Sequence, residues 1–318
     1  MKSETRQVRI EQINDMAMKD VSHLIRQSEN NYARQIETML DDIVKGGKRI
    51  VLLAGPSSAG KTTTAYKIKQ GLKTQGINAF VISLDDFLFS ASDLPAKPNG
   101  KPDFETVYSL DIHCLQVCLN EILTRNRTAV PIFDFRLGRR ADKWVICALK
   151  PHDVVIIEGL HALNPLILGS LDPDKFFRVY AQANTLFTHN EKPLISGREL
   201  RLFRRIIRDS RERNTNPLRT INMWGDVCQG EDIYIRPHMH LVDYCIDTVH
   251  LFEPLMYKNI AIKQLSPLIN SVAKTMLSKL NFVGVLDGKL VPEDSLVREF
   301  YKNDEFAKPK PKITSCRL

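Results

Sequence analysis

Eight consecutive residues, Gly55-Pro56-Ser57-Ser58-Ala59-Gly60-Lys61-Thr62, constrain this chain more than anything else in it. They have the spacing G-x-x-x-x-G-K-[ST], and their flanks fit it. Before them, Ile50-Val51-Leu52-Leu53-Ala54 is an apolar run that reads as a buried strand, and after them 63–75 reads as a helix ending near Gly76. A strand feeding a glycine loop that opens a helix is a cradle for phosphate. Glycines let backbone N–H groups wrap an anion without side-chain clashes, and the helix N-terminus adds partial positive charge. Lys61 is placed to reach terminal phosphates and Thr62 to hold Mg²⁺. Gly55, Pro56, Ser57, Ser58, Ala59, Gly60, Lys61, Thr62 and Thr63 are therefore the candidate triphosphate site. A merely structural turn would not need this strand–loop–helix setting.

The chain of 318 residues, 43% of them hydrophobic, can bury a sizeable core in one large or two small domains. No apolar run approaches the ~20 residues of a membrane span, so no membrane partner is expected. Residues 1–20 are polar, carry both signs of charge and do not read as a secretory signal. The six cysteines (Cys114, Cys118, Cys147, Cys228, Cys245, Cys316) include no C-x-x-C pair, and Cys114 and Cys118 have the spacing of two core residues one helical turn apart. A reducing cytoplasm is the expected compartment.

The net charge is +8, which raises the question of nucleic acid. Nine basic and three acidic residues fall between Lys192 and Arg219, a local net of +6, so one segment holds most of the excess. Arg198, Arg201, Arg204, Arg205, Arg208 and Arg211 recur there at three- and four-residue steps and would form a stripe on one helix face. Apart from Phe203 the stripe lacks interleaved aromatics for base stacking, which weighs against nucleic acid. Arginine forks suit phosphate oxygens and can neutralise charge developing in a phosphoryl transition state. Two or three of them delivered by a closing lid helix would serve that purpose; the others would be a solvated face pairing with Glu199, Asp209 and Glu212.

Along the chain, 1–47 reads as a peripheral helical extension, with Ile36, Met39, Leu40 and Ile43 at helical spacing and Gly46-Gly47 as its stop. From 48 to 260 strand and helix alternate. Strands are predicted at 79–84, 130–133, 154–157 and 176–181, a helix at 109–124, a Pro/Asn/Gly-rich loop at 90–101 and a lid at about 190–220. A C-terminal extension, 261–318, would hold an amphipathic helix at 265–280, a last helix at 292–300 opened by Pro292, and a frayed basic tail from Lys308. The alternation predicts an α/β fold with a mostly parallel sheet and helices on both faces.

Ligands of such sheets bind at the carboxyl ends of the strands. Asp85 and Asp86 follow the second strand and Glu158 follows the one at 154–157. Carboxylates there suit a magnesium ion bridging phosphates and a base orienting an acceptor hydroxyl. Asp86 reads as a helix cap, and Asp85 and Glu158 as the chemical pair.

These segments together resemble the uridine kinase and phosphoribulokinase family of phosphate-loop kinases, over roughly 48–243. Ser83-Leu84-Asp85-Asp86-Phe87 is similar to the family segment whose first Asp is the catalytic base. Pro131-Ile132-Phe133-Asp134-Phe135 resembles the P-x-Y-D-F segment lining the nucleoside site. Val155-Ile156-Ile157-Glu158-Gly159 resembles the strand whose Glu serves Mg²⁺, and Arg201-Leu202-Phe203-Arg204-Arg205-Ile206-Ile207-Arg208-Asp209 the R-L-x-R-R-x-x-R-D lid. The ending 291–300 resembles the tail of a longer, uridine-kinase-like branch, whose preceding domain, shared with threonyl-tRNA synthetase, is not expected here.

The resemblance implies a P-loop fold that uses ATP and Mg²⁺ to phosphorylate a hydroxyl of a small molecule, best guessed as the 5′-hydroxyl of a nucleoside. Lys61 and the loop amides would hold the phosphates; Thr62, Glu158 and Asp85 would serve the metal; Asp85 would take the hydroxyl proton; Arg201, Arg204 and Arg208 would stabilise the transferring group. Glu105 stands where an Asp would hold the sugar hydroxyls, and Phe133, Arg140 and Arg201 would line the acceptor site. Phe133 replaces the family's Tyr and Gly138 its pyrimidine-reading His, so polar groups that tell one base from another are missing. Arg136, Arg139 and Arg140 leave open a sugar-phosphate kinase of the phosphoribulokinase type. A nucleotide-binding regulator without an acceptor is the reading from a different class. No N-K-x-D or T-K-x-D segment points to guanine. Relatives of this kind form symmetric oligomers, and helices at both ends could supply the interfaces.

Overall fold

The structure, a computed structural model, describes residues 4–95, 100, 103, 105–134 and 137–301. The frayed tail expected from Lys308 and part of the 90–101 loop lie outside the described residues.

The chain opens with strand β1 (Arg6–Arg9), which runs straight into helix α1 (Ile10–Lys45). Then come β2 (Ile50–Ala54), α2 (Lys61–Thr74), β3 (Ala79–Ser83), α3 (Ile112–Arg125) and four short strands, β4 (Arg127–Val130), β5 (Phe133–Asp134), β6 (Arg139–Arg140) and β7 (Val145–Ala148). β8 (Val154–Glu158), a short α4 (Pro165–Leu168), β9 (Phe176–Gln182), β10 (Thr185–His189), β11 (Lys192–Ile195), α5 (Gly197–Glu212), α6 (Pro217–Tyr234), β12 (Tyr244–Asp247), α7 (Glu253–Leu265) and α8 (Ser271–Leu280) complete it.

Five strands form a wholly parallel sheet in the order β12-β9-β2-β8-β3. Its central strands β2 and β8 are buried at every residue, as expected of a parallel sheet covered on both faces. Strand alternation divides them: Ile50, Leu52 and Ala54 pack with α3 and α4 on one face, while Val51 and Leu53 pack with α1 and α2 on the other. From β2 the chain moves to β3, two places away, while β9 pairs on the opposite side of β2. The loop after β2 therefore lies where the strand order divides, the crevice at which open α/β sheets take ligands.

Several local expectations are corrected. The first 45 residues are not a plain peripheral helix. β1 pairs in parallel with β10, and Ile10, Ile13, Leu24, Met39 and Ile43 are all essentially inaccessible. α1 is interrupted at Asp20 (φ −157°, ψ 89°), whose carboxylate accepts from the His23 N–H at 2.9 Å and so caps the second half. The strand foreseen at 130–133 is split by Pro131, which cannot donate to a ladder: β4 pairs with β7, and β5 with β6. The helix foreseen at 265–280 starts only at Ser271, as α8; α7 ends at Leu265, the chain breaks around Pro267, and Asn270 caps α8 through the Ala273 N–H at 3.1 Å. The helix foreseen from Pro292 is only a 3₁₀ turn, Leu296–Glu299.

Candidate active site

Gly60 adopts φ +81°, a left-handed conformation open to glycine, and this bends the chain from β2 into α2. Ser58 is also left-handed, at φ 58°, so two consecutive turns curl the loop amides inward. Pro56 and Ala59 are buried; Thr62 is exposed at the first turn of α2. The Lys61 ammonium folds back to donate to the Pro56 carbonyl at 3.1 Å. Burial lowers its pKa, and Glu158, Asp85 and Glu299 oppose that shift, so all three carboxylates lie within electrostatic reach of the lysine.

The adjacent strands β3 and β8 bring the two acids together. Glu158 ends β8 and its Oε1 accepts from the Ser83 hydroxyl at 3.1 Å; Asp85 begins the 3₁₀ turn Leu84–Phe87 after β3. Burial pushes Glu158 up to about 7; Lys61 pulls it back, and Asp85 raises it again. Asp85 retains solvent access, yet the protein crowded around it raises its pKa by desolvation, against the pull of Lys61 and Arg213. Asp86, expected as a helix cap, instead accepts from the Phe133 N–H at 3.1 Å and ties the β5–β6 hairpin to this turn. Burial raises it to about 6.

Helix α5 begins with a capping box, Ser196 and Glu199 exchanging bonds with each other's backbone. It is not a solvated stripe: Leu200, Leu202, Phe203, Ile206 and Ile207 are buried in the same core as α7 and α8. Its arginines divide. Arg201 donates to the Ser57 carbonyl at 3.1 Å and to Glu231 at 2.6 Å, and lies over Trp224. Arg205 reaches the Ser57 hydroxyl at 2.9 Å. Arg208 bonds Asp209 at 3.0 Å and is near enough to Lys61 to lower it further. Arg204 is wholly buried, forked onto Glu253 at 2.8 and 2.6 Å, with further bonds to Ser58 O, Thr248 Oγ1 and Thr248 O. All its directions are taken, so its position is that of a brace under the phosphate loop, not of a group a lid delivers. Arg140, expected at the acceptor, donates to Asp111 at 3.0 Å and to the Phe87 carbonyl at 2.9 Å, beneath the turn that carries Asp85. Phe133 is half-buried beside it in the β5–β6 ladder. Glu105 lies against α6 at Gly230, where a Cβ would come within 3.2 Å of its side chain.

Sequence reasoning missed three participants. Glu299, 236 residues from the loop, accepts from the Thr63 N–H at 3.0 Å. Leu296 covers Gly60 closely enough that a Cβ there would meet it at 2.9 Å. Arg213 faces Asp85 electrostatically from just beyond α5. Leu296, Glu299 and Phe300 fall in the segment expected as a last helix, and nothing in the sequence said against what it would pack.

Among the described residues no three His, Cys, Asp or Glu side chains are grouped to hold a metal. Mg²⁺ fits here in another way: it typically takes one or two carboxylates and completes its shell from substrate phosphates and water. Two crowded carboxylates with raised proton affinity are such an oxygen source, and the exposed Thr62 at the first turn of α2 carries a further hydroxyl. No described helix is long and apolar enough to cross a membrane.

A parallel sheet with a glycine loop at its switch point, a lysine facing two strand-end carboxylates and an arginine helix against the loop define a phosphate-loop kinase. Residues 50–167 match the model of the Phosphoribulokinase / Uridine kinase family, and over that segment the chain is similar to it. The uridine kinase of Ureaplasma parvum serovar 3 (strain ATCC 700970) is 27% identical over 189 residues, 59% of this chain and 82% of that protein. That of Lactobacillus helveticus (strain DPC 4571) is 25% identical over 199 residues, 62% and 85% respectively. A solved structure described as a possible uridine kinase from Bacillus stearothermophilus aligns with a TM-score of 0.46 at 17% identity, over 67% of this chain and 98% of that one. The family is one of ATP-dependent small-molecule kinases.

Proposed function

We propose that this chain phosphorylates the 5′-hydroxyl of a nucleoside. The observation that carries the reading is that Asp85 and Glu158, at the ends of adjacent strands, both lie within electrostatic reach of Lys61 at the start of α2. Bound Mg-ATP supplies the phosphoryl group and the cation that offsets its charge. The loop amides and Lys61 bind the phosphates, and Thr62 and Glu158 hold the cation. Asp85 orients the acceptor hydroxyl and takes its proton as the new O–P bond forms and the bond to the ADP oxygen breaks. Arg201 and Arg208 face the charge in transfer, while Arg204 holds the loop they act on. Glu105 and Phe133 line the acceptor, with Glu105 on the sugar hydroxyls.

The uridine kinase relatives favour a nucleoside. Phe133 and Gly138 argue for weak choice between bases, because neither side chain offers a hydrogen bond. A sugar-phosphate acceptor loses support from Arg140, whose guanidinium is already held by Asp111 and Phe87.

The deciding experiment is ADP release with Mg-ATP across nucleosides, pentose phosphates and small alcohols, with Lys61→Ala as control. Stimulation by nucleosides of more than one base is the expected result. Stimulation by pentose phosphates alone, or hydrolysis indifferent to every hydroxyl compound, overturns it.

A further inference from the structure

Three residues beyond Glu158, in the turn at the carboxyl end of β8, stands His161. It is 4% exposed, and among the described residues neither ring nitrogen has a hydrogen-bond partner. Its backbone is fixed: the His161 carbonyl accepts from Asn164 N–H at 2.8 Å, and the Asn164 side chain caps α4. One edge of the ring meets Tyr234 of α6 in a T-shaped contact, 5.7 Å between centroids and 76° between planes. Around it stand Asp103, the Glu105 backbone and His238, all within electrostatic reach. The Glu105 backbone favours the charged ring without reaching hydrogen-bond geometry, but burial outweighs it and lowers the pKa to about 4. At neutral pH the ring is therefore uncharged and presents one donor and one acceptor.

Buried polar groups are normally paired, and one that is not calls for an explanation. Packing alone does not supply it, since an apolar side chain would fill this space without stranding two nitrogens. The place does: the ring lies at the strand ends where ligands of this sheet enter, beside Glu105.

Resting on the nucleoside reading above, we propose that His161 is a specificity-determining residue that pairs with a secondary hydroxyl of the acceptor's ribose. A hydroxyl both donates and accepts, so it complements a neutral imidazole whichever nitrogen carries the proton. Together with the Glu105 carboxylate, which only accepts, this would give the pocket a sugar-reading corner that stays selective where the base-reading groups are missing. Tyr234 holds the ring plane, and Gly230 lets Glu105 approach α6.

The test compares kcat/KM for uridine with those for 2′-deoxyuridine and 3′-deoxyuridine, in wild type, His161→Leu and His161→Gln, with Tm measured for each. Wild type is expected to prefer uridine over at least one deoxy analogue by roughly tenfold or more, since the missing hydroxyl leaves the site's polar groups unpaired. His161→Leu is expected to bring that ratio to within about threefold, chiefly through the KM for uridine, with the KM for ATP unchanged. His161→Gln, which keeps a donor and an acceptor, should restore part of the preference and keeps the test valid should the leucine variant fold poorly. A ratio unchanged in both variants, or a lowered Tm with the ratio intact, overturns the proposal and makes His161 a packing residue. A wild type that phosphorylates nucleosides without regard to either hydroxyl also overturns it. A wild type that phosphorylates no nucleoside overturns the functional reading, and this inference with it.

Discussion

Glu158 shows how a single buried carboxylate sets a pH dependence. Its pKa is raised from 4.5 to about 7, chiefly by burial, so the folded state binds a proton more tightly than the unfolded one. That favours folding below about pH 4.5, and the advantage is lost as pH rises through 7. The window spans at most about 3 kcal/mol, at 1.36 kcal/mol per pKa unit. Wild-type Tm should therefore fall between pH 5 and 8 by more than that of Glu158→Gln, which has no proton to lose; parallel curves would remove Glu158 as the cause. The same proton competes with a cation, so magnesium affinity should weaken below pH 7. Asp85 is more accessible, and Asp85→Asn should abolish turnover while leaving ATP affinity nearly intact, as checked by turnover and equilibrium titration. The strand-end acids and the glycine loop were legible from sequence because both lie next to strands that announce themselves by four or five consecutive apolar residues. His161 was not legible, because a histidine in a turn carries no signal until its surroundings are known.

At the scale of the element, α5 is the instructive case. Its arginine spacing was plain, but spacing alone does not reveal that the intervening Leu200, Phe203 and Ile207 bury the helix against α7 and α8. Nor does it separate Arg204 from its neighbours, because the partner that fixes it, Glu253, is 49 residues away. A buried pair broken on one side leaves an uncompensated charge. Arg204→Met should accordingly cost about 3–5 kcal/mol in urea unfolding, whereas Arg208→Ala should cost well under half of that and act on turnover. Equal losses of stability in the two variants would contradict the division drawn between them. Misplaced element ends have simple causes: Pro131 and Pro267 end backbone ladders that the apolar pattern alone would continue.

On the scale of the whole molecule, three clusters of buried residues hold the sheet, its two helical layers and a third body made of α1, α5, α7 and α8. The sheet and its layers follow from the alternation of strand and helix along the sequence. The third body depends on contacts between distant segments, of which the sequence gives only the amphipathic halves. The 3₁₀ turn Leu296–Glu299 joins them: Leu296 and Phe300 pack with Ala59, Ala65 and Ile68, and Phe300 lies 4.8 Å from the Arg204 guanidinium. Leu296→Ala should cost about 2–5 kcal/mol and also weaken ATP binding, since the cavity would open beside Gly60. Loss of stability without any loss of ATP affinity would show that the turn supports the fold and not the loop.

A ribosome makes Thr63 early and must add 236 more residues before Glu299 exists to receive its N–H. The sheet can condense while synthesis continues, as N-terminal parts of chains do, but the phosphate loop stays unbacked until this late segment emerges from the exit tunnel. Nascent chains arrested before Leu296 has emerged should therefore be retained poorly on an ATP matrix, and those released after Phe300 retained well. Nucleotide binding would thus depend on a segment synthesised long after the loop that it backs.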